Sequence, residues 1–172
     1  MNEGMVYNSE KFKAMIHYII SRCGFKDNFA RVLLNKLLYF SDFDNYEIYE
    51  ESISNEKYIR KVNGPVSSHF SEAISELIDE GKIEETSETV INFKKYKYSS
   101  LKQPHTEILS KNELQVIDDV INRISHFRSK EASEYSHGDL PWKIASDGGE
   151  LNYEAVFYRD PEYSVREYDD DL

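Results

Sequence analysis

Residues Arg31-Val-Leu-Leu-Asn-Lys-Leu-Leu-Tyr-Phe-Ser-Asp-Phe43 are the most apolar stretch of the chain. At 3.6 residues per turn, Leu33, Leu34, Leu37, Leu38 and Phe40 cover most of a helical wheel, and Val32 and Phe43 widen that arc. Arg31, Asn35, Asp42 and Tyr46 share the narrow remainder. A helix apolar on nearly every side must be wrapped by other elements, so the stretch predicts a buried central helix that continues toward Glu50. Lys36 falls between Val32, Phe40 and Phe43. Its ammonium must either snorkel out along its aliphatic stem or meet a carboxylate or backbone acceptors, with Asp42 and Asp44 as nearby carboxylates. If a buried partner is present, Lys36→Met leaves it unpaired, with an expected loss of roughly 1–3 kcal/mol.

Around this helix the pattern predicts a mainly α, single compact multi-helix domain with one small β-hairpin. Residues 1–8 lack periodicity and read as a mobile leader, and Ser9 can cap a helix that buries Phe12, Ile16, Ile19 and Ile20 and stops at Gly24. Asp27 and Asn28 are cap candidates for the central helix. Residues 52–63 read as loop with a short extended piece at Tyr58-Ile59-Arg60. At Asn63-Gly64-Pro65, a proline suited to a first helical turn predicts a third helix, with Phe70, Ile74, Leu77 and Ile78 on its apolar face and Gly81 at its end. The period then changes over 82–98, and Lys82-Ile83-Glu84 and Val90-Ile91-Asn92-Phe93 predict a hairpin about a Thr86-Ser87-Glu88 turn. Ser110 and Glu113 match a capping box ahead of Leu114, Ile117, Ile121 and Ile124. Short helices are expected from Ser129 or Lys130 to Tyr135 and from Asp139 through Pro141-Trp142 to Ala145. The domain is bounded at 9–159, and residues 160–172 read as a solvated acidic tail.

The 172 residues suit one domain with a real core. A net charge of −11 opposes a general nucleic-acid or anionic-membrane binder, which draws its affinity from clustered Lys and Arg, and favours a basic or mixed-charge protein partner. Cys23 is the only cysteine, so neither an intramolecular disulfide nor a cysteine metal knuckle can form. With no apolar signal segment at the start and no run of about 18 apolar residues, a cytoplasmic protein is expected. No phosphate-binding glycine loop, nucleophile elbow or His-Glu-x-x-His zinc motif occurs. Asp42-Phe-Asp44-Asn-Tyr-Glu47 begins like a calcium loop, but Glu47 stands where that loop needs glycine, and its carboxylates read as a solvated helix end. Ser136-His137-Gly138-Asp139 reads as a capped turn, since triad side chains usually converge from separate segments. The expectation is therefore no enzyme, no cofactor and no metal. Three helices followed by a hairpin also describe a winged-helix DNA-binding regulator. The charge map opposes it: Val66 to Glu80 holds no Lys or Arg, and the basic strip is confined to Lys94, Lys95, Lys97 and Lys102, interleaved with Tyr96 and Tyr98.

Leu34-Asn-Lys36-Leu-Leu-Tyr39-Phe-Ser-Asp42, then Tyr58, then Gly64-Pro65-Val66, and finally Ser136-His137 before Pro141-Trp142, resemble in residues, order and spacing the Panacea, or SocA-like, domain family. The positions that match its pattern are Lys36, Tyr39, Asp42, Gly64, Pro65, His137 and Trp142. The resemblance implies a mostly helical antitoxin domain of bacterial and prophage toxin–antitoxin systems that neutralises a toxin, here encoded by an adjacent gene, through direct protein–protein interaction. For part of the family it implies an adaptor that delivers its partner to an ATP-dependent protease. Expected contact residues are Tyr46, Tyr49, Tyr58 and Trp142, around the central helix's polar edge and the Gly64-Pro65 corner.

Overall fold

Helix α2 (Arg31–Tyr49) runs through the middle of the molecule in the computed structural model, which describes residues 2–169. Every residue from Leu33 to Asn45 is buried, so the apolar wheel is enclosed on all sides as its pattern demands. Helix α1 (Ser9–Cys23) packs on it through Phe12, Met15, Ile16, Ile19 and Ile20. Its cap is Asn8 rather than Ser9: the Asn8 side chain accepts from the Lys11 amide. The N-cap of α2 is Ala30, which has no side-chain acceptor to cap with; Asn28 lies two residues earlier and donates its amide to the carbonyls of Ser125 and Phe127. The capping box of Ser110 and Glu113 opens α4 (Lys111–Ile124), which buries Val116, Ile117, Val120, Ile121 and Ile124 on the far side of α2. Helices α5 (Ser129–His137) and α6 (Leu140–Ile144) and a 3₁₀ turn (Tyr153–Tyr158) complete the shell. None of the described helices is long and apolar enough to cross a membrane.

The fold is mixed α/β rather than mainly α, with 46% helix, 15% strand and two small antiparallel sheets. The correction centres on Gly64-Pro65. These residues open strand β2 (Gly64–Ser67), which pairs with β1 (Tyr58–Lys61), and helix α3 starts only at Phe70 and runs to Asp79. A proline is tolerated there because its partner Arg60 directs both backbone groups the other way. The Arg60 amide bonds Gly149 O at 2.9 Å and its carbonyl accepts from Gly148 at 3.0 Å, so the Arg60–Pro65 pair needs no ladder bond.

The second sheet joins β3 (Ile83–Val90) to β4 (Phe93–Ser100), and it turns at Ile91-Asn92 rather than at Thr86-Ser87-Glu88. Those three polar residues lie within β3, where threonine and serine extend readily and face water. The chain ends also differ from expectation. In the segment read as a mobile leader, Asn2 bonds Glu150, Leu151 and Tyr153, and Tyr7 stacks on His69. In the segment read as a solvated tail, residues 163–168 dock on α2 and α5; residues 170–172 lie outside the described region.

Candidate functional site

The polar groups of α2 face inward, not to solvent. Asp42 accepts from Ser52 Oγ at 3.0 Å, the Ser54 amide at 2.9 Å, Ser54 Oγ at 2.7 Å and Tyr58 Oη at 2.7 Å. Burial raises its carboxyl to about 6 against the pull of these four bonds, since no cation touches it. One turn on, Asp44 and Glu47 meet Arg159. Its Nη1 lies 2.8 Å from Asp44 and 3.1 Å from Glu47, while Nε and Nη2 clasp Asp139 at 2.9 and 2.7 Å. Arg123 takes the second Asp44 oxygen at 2.8 Å, and Tyr39 Oη donates to Asp139 at 2.8 Å. Burial pushes Asp139 up, and the guanidinium opposes that shift. The carboxylates read from sequence as a solvated helix end are thus buried. Each takes several partners, and none aligns into a calcium loop. Among the described residues, no group of three or more His, Cys, Asp and Glu side chains is placed to hold a metal ion.

Lys36 is buried, with Nζ 3.1 Å from Pro65 O, and desolvation lowers it to about 7. The partner is thus a backbone acceptor, and neither Asp42 nor Asp44 reaches it. Gly64 sits above this lysine at φ +106°, where a Cβ would collide with Ser136 Oγ and Lys36 Cε. Only glycine satisfies both the backbone angle and the space. Ser136 donates to Ser133 O and His137 Nε2 bonds Val62 O at 2.9 Å, while Asp139 turns to Arg159 and Tyr39. Three adjacent polar side chains therefore diverge to separate partners. Trp142 Nε1 donates to Lys61 O at 3.1 Å, and its ring stacks on His137 and carries the Arg60 guanidinium at 3.8 Å. His137 and Trp142 thereby tie α5 and α6 to the β1–β2 turn. All seven motif positions act in one connected unit that locks α2, the first hairpin and the α5–α6 corner together.

A family model described as "Antitoxin SocA-like, Panacea domain" matches residues 34–143, nearly two thirds of the chain. The chain belongs to this family. No curated protein and no solved structure matches it. The matched span includes all seven positions on which the resemblance rests, from Lys36 to Trp142. Arg159, which neutralises the buried carboxylates, lies beyond it, as does the docked segment around Tyr163. Sequence reading missed Arg159. The available signal was a helix carrying Asp42, Asp44 and Glu47 among apolar residues, which demands a buried counter-charge from elsewhere.

The four aromatic contact candidates separate in the structure. Tyr58 is fully buried and spends its hydroxyl on Asp42. Trp142 is half-buried under its stacking partners, and Tyr46 is half-buried against Tyr153 and Phe157 with its hydroxyl on Glu154. Tyr49 alone of the four is exposed. Trp142 lines a shallow concavity with Arg60, Lys61 and Val62, and a larger one lies elsewhere. A groove of about 860 Å³ lies between the β3–β4 tip and the first turns of α2 and α5, lined in part by Val32, Phe93, Lys94 and Lys130.

Proposed function

We propose that this chain is the neutralising member of a toxin–antitoxin pair, and that it binds its toxin directly, protein on protein, without catalysing a reaction. The observation that carries this reading is membership of the SocA-like antitoxin family over residues 34–143. The use of the motif supports binding over chemistry. Lys36, Tyr39, Asp42 and His137 are turned on Pro65, Asp139, Ser54 and Val62, so the groups an enzyme would aim at a substrate serve the frame instead. A frame held by such bonds presents its outer residues in fixed positions, which lowers the entropy cost of docking a partner. The toxin is the product of an adjacent gene. Expressing that gene with and without this one tests the proposal: growth arrest by the neighbour alone, relieved on co-expression with a stable complex recovered, is the expected result. A harmless neighbour, or one that stays toxic and unbound in the pair, overturns it.

A further inference from the structure

The groove at the β3–β4 tip sets five cationic side chains around an apolar lining on an otherwise acidic chain. Its walls carry Arg31, Lys94, Lys95, Arg128 and Lys130, against a single lining carboxylate, Asp27. Lys94, Arg128 and Lys130 are exposed and make no salt bridge among the described residues. Ala30, Val32 and Phe93 supply an apolar lining, and Phe93 is 59% exposed. At the tip, Ile91 is 86% exposed at φ +55°, a left-handed angle that a β-branched side chain rarely adopts. A two-residue turn is normally made by asparagine or glycine, so this isoleucine strains the hairpin and packs on nothing within the fold.

Unpaired cations around an apolar floor, in a chain of net charge −11, select against cations and for a compact anion that also carries apolar surface. We infer that this groove docks an acidic segment of the toxin, one that sets aspartate or glutamate against Lys94 and Lys130 and an aromatic or aliphatic side chain against Val32 and Phe93. This rests on the toxin-binding reading above. A nucleic acid fits the surroundings less well, because Glu84, Glu85 and Glu88 line the adjacent strand and would repel a polyanion that extends past the groove.

The test uses the full chain and a fluorescein-labelled peptide, DEFDLEE, with its basic counterpart KKFKLKK and a single-stranded oligonucleotide as comparisons. The acidic peptide should bind, less tightly as salt rises. Lys94→Glu with Lys130→Glu should weaken it at least about tenfold, Phe93→Ser should weaken it separately, and Lys111→Glu at the other end of α4 should not. Circular dichroism melts of each variant establish that the fold is kept. Absence of peptide binding, binding indifferent to the groove variants, or preferential binding of the oligonucleotide overturns the inference. Recovery of the toxin complex separates it from the broader reading. If wild type and the Lys94→Glu, Lys130→Glu variant capture the toxin equally, the groove is wrong and the antitoxin reading stands. If wild type captures none, that reading falls and the peptide titration decides the groove by itself.

Discussion

Lys36 Nζ lies 3.1 Å from the carbonyl oxygen of Pro65, and the pair joins the middle of α2 to the first hairpin inside the core. A carbonyl satisfies one ammonium proton but supplies no negative charge, so the lysine sits at about 7 instead of its ordinary 10.5. At about 1.4 kcal/mol per unit, the penalty for holding the ammonium away from water is roughly 5 kcal/mol.

That penalty reverses the loss expected for Lys36→Met, which weighed only the carboxylate or backbone acceptor left unpaired. The variant leaves only a carbonyl unpaired, at a cost of about 1–3 kcal/mol, and removes a larger desolvation penalty. It should therefore raise stability by about 2–4 kcal/mol at neutral pH. The sign with pH follows from linkage: between about 7 and 10.5 the unfolded chain binds the extra proton, so wild-type stability rises with pH and the advantage of the variant shrinks. Thermal melts of both proteins from pH 7 to 10 check this, and a gap that widens with pH contradicts it.

Asp42 behaves oppositely to a typical stabilising carboxylate. Its folded value of about 6 lies above its ordinary 3.8, so between those values the folded state holds more protons and its contribution falls as pH rises, by roughly 3 kcal/mol in all. Asp42→Asn fits the same site. The oxygen that accepts from Ser52 and the Ser54 amide is kept, and the new amide can donate to the hydroxyls of Ser54 and Tyr58 by their rotation. Asn should match or exceed wild type at pH 7 and lose that advantage at pH 4, whereas Asp42→Ala should cost about 2–4 kcal/mol at either pH. Denaturant titrations at the two pH values decide it.

Arg159 holds Asp44, Glu47 and Asp139 together in the interior. Arg159→Met strands these carboxylates and should cost about 3–5 kcal/mol in urea unfolding. Arg159→Lys should recover little of it, because one ammonium cannot reproduce a planar fork shared among three acids. Full recovery by lysine would show that charge alone matters there.

Truncation after Asp160 tests the C-terminal segment. Ser164 Oγ, the Val165 amide and Tyr168 Oη all donate to the Glu47 carboxylate, and Arg166 bonds its carbonyl at 3.1 Å. Their removal opens one side of Arg159 and Glu47 to water and should lower unfolding free energy by about 2–4 kcal/mol. A merely solvated tail could be removed with no change in the melt.

Local chemistry made much of this protein legible from its residues. The apolar wheel of Leu33 to Phe43 could only be a central helix, Ser110 and Glu113 could only open one, and the change of period after Gly81 marked the second hairpin. Each of these signals lies within a few residues of the structure it specifies. Lys36, Gly64, His137 and Trp142 were also visible as a pattern, though not as parts of one joint.

Gly64-Pro65 was ambiguous locally, since the same pair opens a helix or enters an edge of a sheet. The choice was made by Gly148 and Gly149, which occupy the backbone groups of Arg60 from far along the chain. The same holds for charge. Nothing near Asp44 and Glu47 in sequence indicates Arg159, and nothing near Lys36 selects the carbonyl of Pro65 over Asp42. Those pairings depend on which groups are enclosed together once water is expelled, and only the packed tertiary structure determines that, because desolvation makes each buried charge take whatever partner the fold brings within reach.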